Sequence, residues 1–134
     1  MKCPKVEKLE ANLAASQPKM VNYQPLKDNC EFDDFMKMDF RTGKIVAAEK
    51  MKKAKKLLLL TVDLGFETRT IVSGIAEYYS PEEVIGQEVV VVANLAPKKL
   101  RGVMSQGMIL MAENEEGRLA FVGAKEFGSG WTVR

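Results

Sequence analysis

The chain has 134 residues and a mass of 14.9 kDa, a length that predicts one domain. Hydrophobic residues make up 46% and charged residues 28%, a globular balance that excludes a wholly disordered chain. No apolar run approaches the roughly 20 residues of a membrane helix, and no secretory signal begins the sequence. We therefore expect a cytoplasmic protein with no membrane partner.

The chain has no histidine, which excludes Ser-His-Asp and Cys-His catalysis and removes the usual zinc ligand. We expect no catalytic residues, no metal site and no cofactor.

The net charge of +2 conceals a segregation of charge along the chain. Between Arg41 and Lys56 there are seven basic residues and one acid, Glu49, and a second basic cluster spans 98–101. Acidic residues dominate other stretches, notably 113–116. Such segregation predicts a basic binding surface on a more acidic scaffold.

The first 31 residues differ in pattern from the rest of the chain. Apolar residues at helical spacing predict a short amphipathic helix over about 4–15, and prolines follow it. A lone helix of this length is marginal in water. We therefore interpret residues 1–31 as a linker or N-terminal extension and residues 32–134 as the folded domain. Cys3 and Cys30 are expected to be reduced thiols, with a disulfide between them as the alternative.

From residue 32 onward, apolar and alternating patterns predict β-strands separated by glycine-containing turns. In chain order the predicted strands are 35–46, 57–64, 67–72, 88–93 and 108–112, and the chain then returns over 119–122. Ser80 and Pro81, followed by two glutamates, predict a short helix between the third and fourth strands. The unbroken apolar run over 89–92 indicates a strand covered on both faces, and Gly43 indicates a bulge or bend in the first strand. This order predicts an all-β fold, a five-stranded OB-fold Greek-key barrel, with another small barrel as the alternative.

Three segments of the sequence resemble those of a known family. They are DFRTGKI at 39–45, RTIVSGIA at 69–76 and VVANLAPKKLRGVMSQGMIL at 91–110. They are similar to the tRNA-binding domain found at the C-terminus of many bacterial methionyl-tRNA synthetases and as a free-standing protein. The resemblance implies an OB-fold over about 32–134, tRNA binding by shape rather than sequence, and a homodimer built from segments that flank the barrel. The helix over 4–15 resembles the tail that leads out of that enzyme's anticodon domain, which implies a linked or associated methionyl-tRNA synthetase core.

Two departures from the family pattern make this chain more positive. Many members carry His-Pro-x-Ala-Asp-Lys-Leu where this chain has Met-Lys-Lys-Ala-Lys-Lys-Leu at 51–57. Many members also have glutamate where this chain has Gln106. Added positive charge favours contact with phosphates and disfavours any role for an acid at these positions.

The lysines between the first and second predicted strands are candidate phosphate contacts. They are Lys50, Lys52, Lys53, Lys55 and Lys56. OB-folds commonly bind nucleic acid at loops on the barrel rim, and a lysine is a mobile point charge suited to backbone attraction. A second group of candidates, Lys98, Lys99 and Arg101, follows the fourth strand. The alternative is that the first group is a solvated run that aids solubility and the second a polar turn.

The remaining candidates for tRNA binding come from the longest motif and from the first strand. They are Asn94, Ser105, Gln106 and Met108, together with Arg41 and Lys44. Ser105 is expected to donate to a phosphate or a 2′-hydroxyl, and Met108 to offer an apolar surface for a base. The alternatives are core packing for Met108 and a turn-stabilising role for Asn94. Arg41 and Lys44 take opposite faces of a regular strand, so one of them is expected on the binding face.

Aromatic residues make up 7% of the chain, which favours recognition of a folded RNA by shape and charge over stacking of successive bases. Trp131 is expected at a subunit interface rather than on RNA. The sequence thus predicts a non-catalytic tRNA-binding module that also dimerises the enzyme to which it belongs. The alternative is a domain that chiefly dimerises and contacts RNA incidentally. An enzyme is disfavoured because no acid is paired with a nucleophile or a metal ligand.

Overall fold

The computed structural model describes residues 22–134, so the predicted helix over 4–15 and Cys3 lie outside the described residues. In chain order the elements are α1 (Phe32–Met36), β1 (Phe40–Met51), β2 (Ala54–Asp63), β3 (Thr68–Ser73), α2 (Pro81–Val84), β4 (Glu88–Val92), β5 (Lys98–Leu100), β6 (Val103–Ser105), β7 (Met108–Ile109), β8 (Met111–Glu113), β9 (Leu119–Phe121) and β10 (Thr132–Val133). Strands dominate this part of the chain, as an all-β fold requires. Neither of its helices has the length and apolar character needed to cross a membrane.

The first strand begins later and ends later than predicted. The predicted start at residue 35 is wrong, because Phe32–Met36 forms the helix α1. The Asp34 N–H donates to the Glu31 carbonyl (3.0 Å), and the Glu31 N–H donates to Asp34 Oδ2 (3.2 Å), so this turn is stabilised locally. β1 then continues past residue 46 to Met51, because its second half pairs with β2 as a long hairpin.

The main sheet has the strand order β3-β2-β1-β4-β7, and β10 pairs with β1. The first half of β1 pairs with β4 and the second half pairs with β2, so this one long strand links the two parts of the sheet. The register with β2 shifts between Ile45 and Ala47, just beyond Gly43. Gly43 itself is needed for close packing, since a Cβ there would lie 2.9 Å from Val62 Cγ1.

β2 and β4 supply much of the hydrophobic core. Leu58, Leu60 and Val62 alternate along β2 and are fully buried, as expected for an antiparallel strand with one face on the core. The valines at 89–92 of β4 are all buried, which confirms the prediction that this strand is covered on both faces. Each such side chain contributes about 1.5–3 kcal/mol on burial.

Two small hairpins lie outside the main sheet, β5–β6 and β8–β9. The strand predicted over 108–112 is two short strands. β7 pairs with β4 in the main sheet, and β8 pairs with β9 in the second hairpin. The turn between β8 and β9 is held by Asn114, whose Oδ1 accepts from the N–H groups of Glu116 (3.1 Å) and Arg118 (2.9 Å).

Hydrogen bonds from β3 to the end of β6 close the sheet into a barrel. The Val72 N–H donates to Ser105 Oγ (3.0 Å). The Gln106 N–H donates to the Thr70 carbonyl (2.8 Å), and the Thr70 N–H donates to Gln106 Oε1 (3.0 Å). Because β7 follows at once and pairs with β4, the two edges of the sheet are joined.

The C-terminal tail is anchored on Thr42, which is 4% exposed. Thr42 Oγ1 donates to the Gly128 carbonyl (2.8 Å) and accepts from the Trp131 N–H (3.0 Å). The Thr42 N–H donates to the Trp131 carbonyl (2.9 Å), and the Gly130 N–H donates to the Thr42 carbonyl (2.7 Å). One residue of β1 therefore satisfies four hydrogen bonds of the tail.

Gly130→Ala is expected to lower the free energy of unfolding by about 1–3 kcal/mol, whereas Gly128→Ala is expected to leave it nearly unchanged. Gly130 has φ +93°, and a Cβ there would lie 2.5 Å from the Leu64 carbonyl oxygen, while a Cβ at Gly128 meets nothing within 4 Å. Urea unfolding of both variants, compared at equal m-values, measures the difference. Equal midpoints for the two variants would contradict this account of the tail.

Candidate nucleic-acid interface

The predicted basic loop is the tip of a long β-hairpin, which we call the lysine hairpin, residues 50–56. Met51 pairs with Ala54, so Lys52 and Lys53 form the two-residue turn. All five lysines of this hairpin are exposed. The one ion pair recorded for them within residues 22–134 joins Lys56 Nζ to Glu77 Oε1 at 3.9 Å, between side chains that are 77% and 52% exposed. A pair so exposed holds little energy, so the hairpin keeps its positive charge available.

The second basic cluster also lies on a hairpin, β5–β6. From the sequence, the alternative to a binding role for this cluster was a simple polar turn. Leu100 pairs with Val103, and the two residues between them, Arg101 and Gly102, have φ +48° and +85°. Two consecutive positive φ values are those of a type I′ turn, for which glycine at the second position is favoured. The Arg-Gly dipeptide was the one local signal for this hairpin. Lys98 and Lys99 are exposed on β5.

An apolar groove of about 420 Å³ lies beside the β5–β6 hairpin. Its lining residues are Val72, Ser73, Gly74, Ile75, Leu95, Ala96, Lys98, Leu100, Ser105, Gly107, Met108, Ile109, Met111 and Leu119. Two of these side chains, Met108 and Leu95, remain 46% and 42% exposed. No aromatic side chain is among the described residues that line the groove.

The β5–β6 hairpin lines the groove, and the base of the lysine hairpin adjoins one of its walls. One wall, residues 72–75, leads into Ala76, whose N–H donates to the Lys56 carbonyl (3.1 Å) at the base of the lysine hairpin. Another wall is formed by Lys98 and Leu100 of the β5–β6 hairpin. The groove thus brings Lys98 and Met108 together, with the base of the lysine hairpin beside one wall.

Asn94, Ser105 and Gln106 each use side-chain atoms in hydrogen bonds within the protein, although Asn94 and Gln106 are exposed. Asn94 Oδ1 accepts from the Asp39 N–H (2.8 Å), and Asn94 Nδ2 donates to the Lys37 carbonyl (2.6 Å). Ser105 is 4% exposed, and its Oγ accepts from Val72 and donates to the Gly107 carbonyl (3.0 Å). Ser105 and Gln106 thus join β3 to the end of β6, while contact of Ser105 with RNA stays a prediction.

Arg41 and Lys44 lie on opposite sides of β1, and neither lines the groove. Arg41 Nε donates to Asp39 Oδ1 (2.7 Å), Nη1 donates to the Gly130 carbonyl (3.1 Å), and the guanidinium lies 5.5 Å from the centre of the Phe66 ring. The hydrogen bond and charge of Asp39 raise the pKa of Arg41, against a small opposing effect of burial, so the guanidinium stays charged. Lys44 is exposed and pairs with residue 63, at the other end of β2 from the lysine hairpin.

Comparison with known proteins identifies the family. The family model described as "Putative tRNA binding domain" matches residues 40–129. The chain belongs to this tRNA-binding domain family. The resemblance stated from the three sequence segments is thereby confirmed, and the all-β barrel is OB-like.

Individual relatives of this tRNA-binding domain include long enzymes and short proteins. The chain is 59% identical over 117 residues to a methionine–tRNA ligase of Flavobacterium johnsoniae, and this match covers 87% of the chain and 16% of that protein. A crystal structure of a MetRS-related protein from Pyrococcus horikoshii is 42% identical, with a TM-score of 0.75, over 81% of this chain and 100% of that chain. The chaperone CsaA from Bacillus anthracis is 28% identical, with a TM-score of 0.72, over 80% and 100%. The chain thus spans less than a fifth of the length of the methionine–tRNA ligase.

Reversing the charge at the tip of the lysine hairpin is expected to weaken tRNA binding by at least tenfold and to reduce the salt dependence by about two counterions. The variant is Lys52→Glu/Lys53→Glu, which leaves the Lys56–Glu77 pair intact. The matched control is Lys27→Glu/Lys125→Glu, which makes the same charge change at two exposed positions outside both hairpins. Filter binding or fluorescence anisotropy with tRNA at several salt concentrations compares the two; an equal loss in both variants would mean that only net charge matters.

Proposed function

We propose that this chain is a non-catalytic tRNA-binding module that recognises tRNA by shape and charge, without anticodon specificity. The observation that carries the proposal is that one exposed basic hairpin lines a groove of the barrel while the base of a second adjoins its wall. Lysines attract the phosphate backbone without selecting bases, which suits a ligand recognised by its overall form. Among residues 22–134, those that line the groove include no aromatic side chain, whereas single-strand binders stack successive bases on a row of them.

The proposed phosphate contacts are Lys50, Lys52, Lys53, Lys55, Lys56, Lys98, Lys99 and Arg101. Met108 lines the groove together with Lys98. Asn94, Ser105, Gln106 and Arg41 are assigned positioning roles, because each uses side-chain atoms, in Gln106 the Oε1 alone, in hydrogen bonds within the protein. Lys44 supplies positive charge at a distance from the groove rather than a direct contact.

The fold that supports this function is, in our proposal, a five-stranded Greek-key OB barrel. β1 to β4 supply the first four strands, the segment 103–109 supplies the fifth, and α2 lies between the third and fourth. Residues 32–134 form this domain, and residues 1–31 form an extension that leads into it.

We further propose that the module forms the C-terminal part of a cytoplasmic methionyl-tRNA synthetase. The identity to methionine–tRNA ligases over most of this chain supports this setting. A linked module raises the effective concentration of tRNA near the catalytic core, so even micromolar affinity improves tRNA capture. Dimerisation of the module would place two basic surfaces in one enzyme.

An alternative function is favoured by a separate observation. Phe127, Trp131 and Phe66 are 63%, 61% and 60% exposed and lie on or beside the C-terminal tail. Large exposed aromatic side chains are typical of protein–protein contacts. In the alternative, the domain serves chiefly to form a homodimer through this tail, and its contact with RNA is incidental.

The proposed function is tested by titrating the chain with three tRNAs, the initiator and elongator methionine tRNAs and one unrelated tRNA. We expect similar micromolar affinities for all three, falling roughly 10³-fold between 50 and 200 mM salt if about six phosphates are neutralised. Absence of binding at low salt would contradict the proposal, and a large preference for one tRNA would contradict recognition by shape and charge.

Light scattering, which measures the mass of the particle in solution, distinguishes the dimerisation alternative from the proposed function when it is applied to two variants. Trp131→Glu is expected to shift the chain towards monomer, because it places a charge in the exposed aromatic patch. Lys52→Glu/Lys53→Glu is expected to keep the wild-type mass while losing tRNA affinity. If the lysine variant retains tRNA affinity and only Trp131→Glu impairs aminoacylation by the full enzyme, the dimerisation alternative is correct.

A further inference from the structure

The apolar groove is a part of the proposed interface whose chemistry does not suit phosphate groups. Lysines suit phosphates, but the side chains of Met108, Leu95 and Leu100 within the groove offer them no hydrogen bonds. Met108 and Leu95 stay about half exposed, so the groove is not filled by the protein itself. We propose that the groove accepts one unstacked nucleobase of the bound tRNA, an inference that rests on the proposed function.

The size and chemistry of the groove fit a single base. Its volume of about 420 Å³ lies near the lower end of the roughly 300–1,000 Å³ found for small-molecule sites. The Met108 thioether is polarizable and makes favourable contacts with aromatic rings. Ser73 and Lys98 also line the groove and bring polar groups suited to the edge of a base. The absence of aromatic lining residues in the described chain limits the site to one base rather than a stacked run.

Charge complementarity favours RNA as the occupant of the groove. Lys98 lines the groove and the exposed Lys99 follows it on β5, so positive charge lies beside the opening and attracts a polyanion. A folded RNA carries loop bases that are already unstacked, so little energy is spent in presenting one to the protein. A fully paired duplex offers phosphates but no such base.

The inference separates two contributions to affinity by their salt dependence. A base in the groove contributes apolar contact that does not release counterions, whereas the lysines contribute through counterion release. Met108→Ala is therefore expected to weaken tRNA binding by about three- to tenfold at every salt concentration, with the slope of log K against log salt unchanged. Leu95→Ala, at a second position in the groove, is expected to act in the same direction.

The experiment measures tRNA affinity across a salt series for wild type, Met108→Ala, Leu95→Ala and the control Ile85→Ala. Ile85 is 51% exposed and follows α2, outside the groove. A blunt-ended RNA duplex serves as the second ligand, and thermal unfolding checks that each variant folds. We expect both groove variants to weaken tRNA binding but not duplex binding, and Ile85→Ala to change neither.

The outcomes separate this inference from the proposed function. If wild type binds tRNA with strong salt dependence and the folded groove variants bind equally well, the groove takes no base and the inference is wrong while the proposed function stands. If the groove binds an apolar peptide instead of a base, the groove variants would likewise bind tRNA as well as wild type does. Equal weakening for tRNA and duplex would also overturn the inference. If wild type fails to bind tRNA at low salt, the proposed function itself is wrong, and the inference falls with it.

Discussion

The closure of the barrel between β3 and the end of β6 is the constraint on which the interface depends. Ser105 and Gln106 provide the bonds to Val72 and Thr70, and each such bond contributes about 1 kcal/mol net. Arg69 reinforces the closure, since its Nη1 donates to the carbonyls of Ala93 and Gln106. Residues on either side of Ser105 are fixed as a result: the β5–β6 hairpin comes just before it, and Met108 just after. Barrel closure thus positions the groove and the basic hairpin that lines it.

The interface that we propose combines two interactions of different range. The lysine hairpin projects from the sheet on a two-residue turn, so its charges reach into solvent and attract a polyanion over roughly a Debye length of 8–10 Å. The groove acts only in contact, through apolar surface that is rigid because it is built on the closed barrel. Attraction at a distance and fit at contact are what recognition of a folded RNA by shape and charge requires.

The sequence predicted those features that local patterns encode. The alternation of β2 and the buried valines of β4 follow directly from residue order, and so does the basic character of the two hairpins. The internal roles of Asn94 and Ser105 could not be predicted, because their partners lie far away in the chain. Asn94 bonds to residues 55 and 57 positions earlier, and Ser105 to a residue 33 positions earlier. The helix α1 was missed because its stabilising bonds join polar residues, while its apolar residues fit a strand equally well.

The most direct test of this account is chemical footprinting of lysines. The chain would be acetylated with and without saturating tRNA at low salt, and the modification of each lysine compared by mass spectrometry. The account predicts strong protection of Lys52, Lys53 and Lys98, with Lys27 and Lys125 modified equally in both samples. Protection spread evenly over all lysines, or confined to Lys125 on the tail, would contradict the assignment of tRNA to the groove and the two basic hairpins.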